Sequence, residues 1–165
     1  MRQTVAGVAG VVSRAGVVSG GGEVDVVGPV VLSPVQRWFV ESHPVAPDHF
    51  GMSMRLAVAE GVDTGVLADA VRVVFRHHEG LWTRFERSDE GWRQWRGEPG
   101  EIAVEWADEA RDIPAGLRLE GGPLARAVFS RRADGAGSGV ELLLAVHHMV
   151  VDGVSWRMVL EDVAR

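Results

Sequence analysis

Cysteine is absent from this 165-residue chain, and so are lysine, asparagine and tyrosine. Without cysteine there are no disulfides, no thiolate nucleophile and no cysteine metal site. Without lysine there is no Schiff-base chemistry. The surplus of Val, Ala, Gly and Arg beside these gaps reads as the composition of a GC-rich gene, not as a functional signal. Charge of one sign is also missing in blocks. The net charge is −6 with no basic cluster, which argues against nucleic-acid binding through phosphate contacts. No apolar run approaches the ~20 residues that cross a bilayer. The opening stretch Met1 to Gly28 is rich in Val, Gly and Ala, but Ser13, Arg14, Gly16 and Gly20–Gly22 break its runs. A signal peptide wants a compact apolar region and a small-residue cleavage site; with only short apolar runs, the stretch reads better as a flexible linker entering a domain. We therefore expect a flexible segment over 1–27, a single domain over 28–165, no membrane contact and a cytoplasmic location.

Periodicity and caps predict the elements. Ser33 before Pro34 marks a helix start, with the helix running from Val35 to Glu41. Phe50, Met52, Met54, Leu56 and Val58 alternate with Gly51, Ser53, Arg55 and Ala57, the period of a half-buried strand. Asp63 caps a second helix carrying Val66, Leu67, Ala70, Val71, Val74 and Phe75 at helical spacing. Strands are predicted at Leu81–Glu86, Trp92–Arg96 and Ile102–Trp106. Leu124–Ser130 and Val140–Val146 read as a long-looped hairpin. A last helix places Trp156, Val159, Leu160 and Val163 on one face. Trp92 and Trp95 straddle both faces of their strand and suit packing. Helices and strands are intermingled, which gives an α/β class (an α+β sandwich). No glycine or proline stop follows the last helix, so truncation at the C-terminus is expected.

The chemistry concentrates where a buried strand, Glu141 to Val146, ends in His147-His148 and Asp152-Gly153 turns the chain into a helix. An imidazole at the mouth of a sheet suits proton transfer near neutrality. The plain alternative is a histidine pair satisfied by hydrogen bonds at a strand end. A shared metal is disfavoured, because adjacent strand residues face opposite ways. Asp152 is expected chiefly to cap or brace the following helix. Gly153 serves the backbone, as a sharp turn or as room for a ligand arm. Ser155 does not form a hydrolase elbow, since Arg157 stands where the final glycine of G-x-S-x-G would be.

His147-His148-x-x-x-Asp152-Gly153 resembles the HHxxxDG motif of the condensation superfamily of nonribosomal peptide synthetases. Val151-Asp152-Gly153-Val154-Ser155-Trp156-Arg157 resembles its epimerization branch. Two further stretches agree, in family order. Gly28 to Phe39, with Asp48-His49-Phe50, is similar to the epimerization entry motif. His77-His78-Glu79-Gly80-Leu81-Trp82-Thr83-Arg84-Phe85 is similar to the family's HHxxLRxRF segment. Together the matches cover about residues 28–165.

The resemblance implies one lobe, the N-terminal one, of a two-lobed chloramphenicol-acetyltransferase-like fold with a tunnel between the lobes. It implies His148 as acid or base at the substrate α-carbon, supported by His147, Asp152, Gly153 and Arg84. It sets Gln36, Arg37, Trp38, Ser155 and Trp156 along the entry, although exposed helix surface is the simpler account of Gln36 and Arg37. The implied partners are a peptidyl carrier protein and a C-terminal lobe. No metal or organic cofactor is implied beyond the carrier's phosphopantetheine. The parent reaction is epimerization of a carrier-bound aminoacyl or peptidyl thioester. The alternatives are peptide-bond formation by a condensation domain, and a non-catalytic remnant or a lobe that pairs with a separate second half. One departure stands out: the family usually has arginine, paired with the motif aspartate, at the position of Trp82. Arg84, two residues along the expected strand, is the candidate substitute for that pairing.

Overall fold

The computed structural model describes residues 28–43, 45–98, 102–108, 113–131 and 139–164. The expected flexible segment 1–27 and most of the turn between the last two strands lie outside the described residues. The elements, in order, are β1 (Gly28–Val30), α1 (Pro34–Ser42), β2 (Gly51–Ala57), α2 (Thr64–His77), β3 (Thr83–Ser88), β4 (Gly91–Arg96), β5 (Val104–Ala107), β6 (Ala125–Arg131), β7 (Val140–His147) and α3 (Gly153–Val163). Short 3-10 turns occupy Pro47–His49, Glu79–Trp82 and Pro114–Gly116. Among the described residues no helix is long and apolar enough to cross a membrane.

The helix starts follow the local chemistry. Ser33 and Gln36 form a reciprocal capping box: Gln36 N–H donates to Ser33 Oγ at 3.3 Å, and Ser33 N–H donates to Gln36 Oε1 at 2.8 Å. Pro34 at the first helical position gives up no hydrogen bond that the helix would use. Asp63 accepts from the amides of Gly65 and Val66 and so starts α2.

The strands form two sheets. One is four-stranded, ordered β2-β7-β6-β5; the other is three-stranded, ordered β1-β4-β3. All neighbours are antiparallel except β5 and β6. The observed class is therefore the expected mixed α/β one.

β7 is the axis of the larger sheet, and both of its faces are covered. Leu142, Leu144 and Val146 point into a core shared with α2 and α3, which includes Leu67, Val71, Phe75, Trp156 and Leu160. Leu143 and Ala145 point the other way, into a cluster with Ile113, Leu117 and Val128. That is why β7 reads as an unbroken apolar run while β2, an edge strand, alternates.

A third cluster joins Phe39 and Val40 of α1 to Phe85 of β3, Leu119, Leu124 and Met149. It fastens the smaller sheet and α1 to the loop that leaves β7. At the far end of α2, His78 Nε2 lies 3.0 Å from Asp162 Oδ2 of α3.

Two boundaries differ from expectation for a physical reason. The chain over Glu79–Trp82 makes a 3-10 turn, so β3 starts at Thr83, not at Leu81. Trp82 is buried, and its indole N–H donates to the Phe75 carbonyl at 3.3 Å, closing the end of α2. β5 starts at Val104, because Ile102 is drawn into the main core.

Leu144 is fully buried and pairs with Met54 on one side and Ala127 on the other. Leu144→Ala is expected to lower the unfolding free energy by about 2–5 kcal/mol. Urea denaturation should show a lower midpoint at an unchanged slope.

Candidate functional site

β7 delivers two histidines into unlike surroundings. His147, its last residue, is fully buried. Its Nε2 lies 2.8 Å from the Pro47 carbonyl, and its Nδ1 accepts from the Met149 amide at 3.2 Å. A carbonyl can only accept and an amide can only donate. The bonds therefore assign the neutral tautomer with the proton on Nε2. Burial pushes the His147 pKa below its ordinary 6.5. The Pro47 bond and the charge of Asp48 oppose that shift without reversing it, while His148 adds to it.

His148 is half-buried. Its backbone N–H donates to the Phe50 carbonyl at 2.7 Å. Its ring stacks on Phe50 with centroids 4.7 Å apart and an interplanar angle of 17°. Among the described residues neither ring nitrogen has a hydrogen-bond partner. The side chain opens onto a cleft of about 310 Å³, lined also by Gln36, Thr83, Gln94, Met149 and Asp152.

Asp152 is the N-cap of α3. Its Oδ1 accepts from the amides of Val154 at 3.1 Å and Ser155 at 2.8 Å, and from Ser155 Oγ at 2.7 Å. Its own amide donates to Ser155 Oγ at 2.9 Å. The Ser155 amide first, then the Ser155 hydroxyl, hold the carboxyl below its usual range; Val154 N–H and His148 act in the same direction. Gly153 is the first residue of α3, and its backbone is not left-handed. A Cβ there would meet open space, so no sharp turn requires the glycine.

The remaining sequence candidates scatter. Gln36 joins the site: its Nε2 donates to the Met149 carbonyl at 2.8 Å while its Oε1 completes the cap of α1. One amide thus ties α1 to the loop that carries His148. Ser155 also lines the cleft. Arg37 borders a different hollow, with Val40, Glu41, Arg87 and Trp92. Trp38 is exposed and meets His43 edge-on.

Trp156 is a correction. It is buried in the main core, because residues 156, 159, 160 and 163 form the face of α3 that packs on the sheet. Arg84 is a second correction. Its guanidinium donates to the carbonyls of Trp82 and Thr83, at 3.2 and 3.1 Å, and bonds to no carboxylate. Trp82 lies on the preceding 3-10 turn, so the two residues do not share a strand face. Among the described residues no three His, Asp or Glu side chains are grouped to hold a metal ion.

Sequence reasoning missed what holds the histidines: the Pro47 carbonyl and the Phe50 ring, together with the bond by which Gln36, already named for the entry, holds the Met149 carbonyl. Only the stretch Asp48-His49-Phe50 signalled that the turn after α1 bears on the site.

The His147 shift sets a pH dependence. The folded value lies below the usual 6.5, so between the two the unfolded chain binds the extra proton. In that window stability rises with pH; it is fully present above about 6.5 and falls on acidification. Urea midpoints measured between about pH 5 and 8 should show this, and His147→Gln, whose amide does not titrate, should flatten the slope.

Comparison with known proteins agrees with this geometry. The condensation-domain family profile matches residues 27–165. The chain is 36% identical over 152 residues to chondramide synthase cmdD of Chondromyces crocatus, covering 82% of this chain and 4% of that protein. It is 30% identical over 150 residues to tyrocidine synthase 2 of Brevibacillus parabrevis, covering 82% of this chain and 4% of that one. The chain thus spans only a few per cent of the length of these relatives. Among solved structures, the epimerization domain from the third module of tyrocidine synthetase B superposes with a TM-score of 0.70 at 27% identity, over 84% of this chain and 34% of that one. The starter condensation domain of rhizomide synthetase shares the fold, with a TM-score of 0.63 at 20% identity, over 82% of this chain and 36% of that one. With this match running from β1 through α3, the chain belongs to the condensation-domain family.

Proposed function

We propose that this chain is the N-terminal lobe of an epimerization domain, with His148 as the group that moves the proton at Cα. The observation that carries the reading is the contrast between the two histidines. Both ring nitrogens of His147 are engaged, whereas those of His148 have no partner among the described residues and its ring opens onto the cleft. A general acid or base must be free to reach its substrate. The likeness to the tyrocidine synthetase epimerization domain supports the same reading.

The substrate is an aminoacyl or peptidyl thioester held on the phosphopantetheine of a peptidyl carrier protein. Cα–H is acidified by the adjacent thioester carbonyl. A neutral ring nitrogen of His148 takes the proton and leaves an enolate. A proton returned to the opposite face, from a group on the C-terminal lobe, inverts the centre. Asp152 and Ser155 act structurally here: they start α3 and so set the floor of the cleft.

Peptide-bond formation is the competing reading, since a starter condensation domain shares the fold. The two reactions are separable by exchange. In deuterated water, the full-length protein acting on a carrier-bound aminoacyl thioester should introduce deuterium at Cα. His148→Ala should slow that exchange by about 10²–10⁴-fold, with circular dichroism unchanged. Undiminished exchange in the variant would remove His148 from the mechanism. Amide formation without exchange would assign the chain to condensation.

A further inference from the structure

The imidazole of His148 has no hydrogen bond to hold its plane, yet proton transfer needs a nitrogen aimed at one atom. Something else must orient it. The geometry points to Phe50 as the positioning residue for His148. This inference rests on the acid/base reading of His148 given above.

The two rings are stacked, 4.7 Å apart and 17° from parallel. They are also tied through the backbone, because the His148 amide donates to the carbonyl of Phe50 itself. Phe50 does not float on the surface. It also stacks on Phe39 at 4.5 Å and 28°, and His43 meets both rings, 4.8 Å from Phe39 and 6.2 Å from Phe50. Phe39 is buried on α1. His43 is pinned by its Nδ1, 3.2 Å from the Phe39 carbonyl. His43, Phe39 and Phe50 therefore form a three-ring cluster at the end of α1, and Phe50 links that cluster to His148 at the cleft.

Phe50 is also held through the turn that precedes it. Asp48 Oδ1 accepts from the Leu119 amide at 2.7 Å, and the Pro47 carbonyl accepts from His147. The turn before Phe50 is thus bonded to both sides of the fold. Phe50 remains 41% exposed, so most of its packing is this stack and not the core. A face-on contact restrains the imidazole plane while leaving its edge, where both nitrogens lie, open to the cleft. A hydrogen bond would have occupied one of those nitrogens.

The test compares Phe50→Leu, which keeps bulk without a π face, with Phe50→Trp, which keeps the face. In histidine-labelled protein, a proton over an aromatic face resonates upfield. The His148 ring protons should be upfield in the wild type, move downfield in Phe50→Leu and stay upfield in Phe50→Trp. The buried His147 resonances serve as the folding control. In the exchange assay Phe50→Leu should lower kcat about tenfold, with KM within about twofold, as when an aligned group loses its orientation. Phe50→Trp should restore kcat.

Unmoved His148 resonances in Phe50→Leu, or a wild-type kcat in that variant, would overturn the proposal. A Phe50→Trp variant that is folded but as slow as Phe50→Leu would overturn it as well. The acid/base reading fails separately, through exchange that survives His148→Ala while the resonances still respond to Phe50.

Discussion

The imidazole of His147 sits where three parts of the chain meet. Its Nε2–H is given to Pro47, in the turn after α1, and its Nδ1 takes the Met149 amide, in the loop after β7. A buried ring with an unmet nitrogen would cost the full desolvation of that group, about 1–3 kcal/mol. Both nitrogens are met, and the same two bonds set the end of β7, the turn and the loop in fixed relation. His148 inherits its place from that arrangement. Its backbone bond to Phe50 and its ring contact with Phe50 exist because the turn is already held one residue away.

The two adjacent histidines divide the requirements of such a site. One is neutralised by burial and used as a structural joint. The other is left with its polar edge toward the cleft. The helix that follows is begun by Asp152, whose carboxylate is occupied by Val154 and Ser155. Among the described residues no arginine pairs with it. The residue at the position where the family usually has one, Trp82, closes α2 by bonding the Phe75 carbonyl, and Arg84 bonds backbone carbonyls beside it. Here the bracing of the aspartate is local to the turn Asp152–Ser155. His78, the C-cap of α2, and Asp162 of α3 add a polar contact to the core that the two helices share.

Much of this was readable in advance where the governing interactions are short-range. Ser33 with Gln36, Asp63 with Gly65, and Asp152 with Ser155 are caps closed within three residues, so residue type and spacing announce them. The period-two alternation of β2 and the apolar run of β7 follow from one covered face and two. The reading failed where a side chain had competing partners at long range. Trp156 was placed at the entry by its motif, yet its helical face belongs to the core. Arg84 was offered to Asp152, yet a 3-10 turn displaced the strand start.

By itself the sequence determined the α/β class, the helix starts, the central strand, the pair of histidines at its end and the likeness to the condensation superfamily, because each depends on local spacing or on an ordered set of motifs. Only the tertiary structure decided which histidine is consumed and which is left open, since Pro47 and Met149 lie on opposite sides of His147 and 100 residues separate Pro47 from it. The same holds for the ring cluster of His43, Phe39, Phe50 and His148. Its rings come from α1, from the chain before β2 and from the end of β7, and no local rule brings those segments together; packing does.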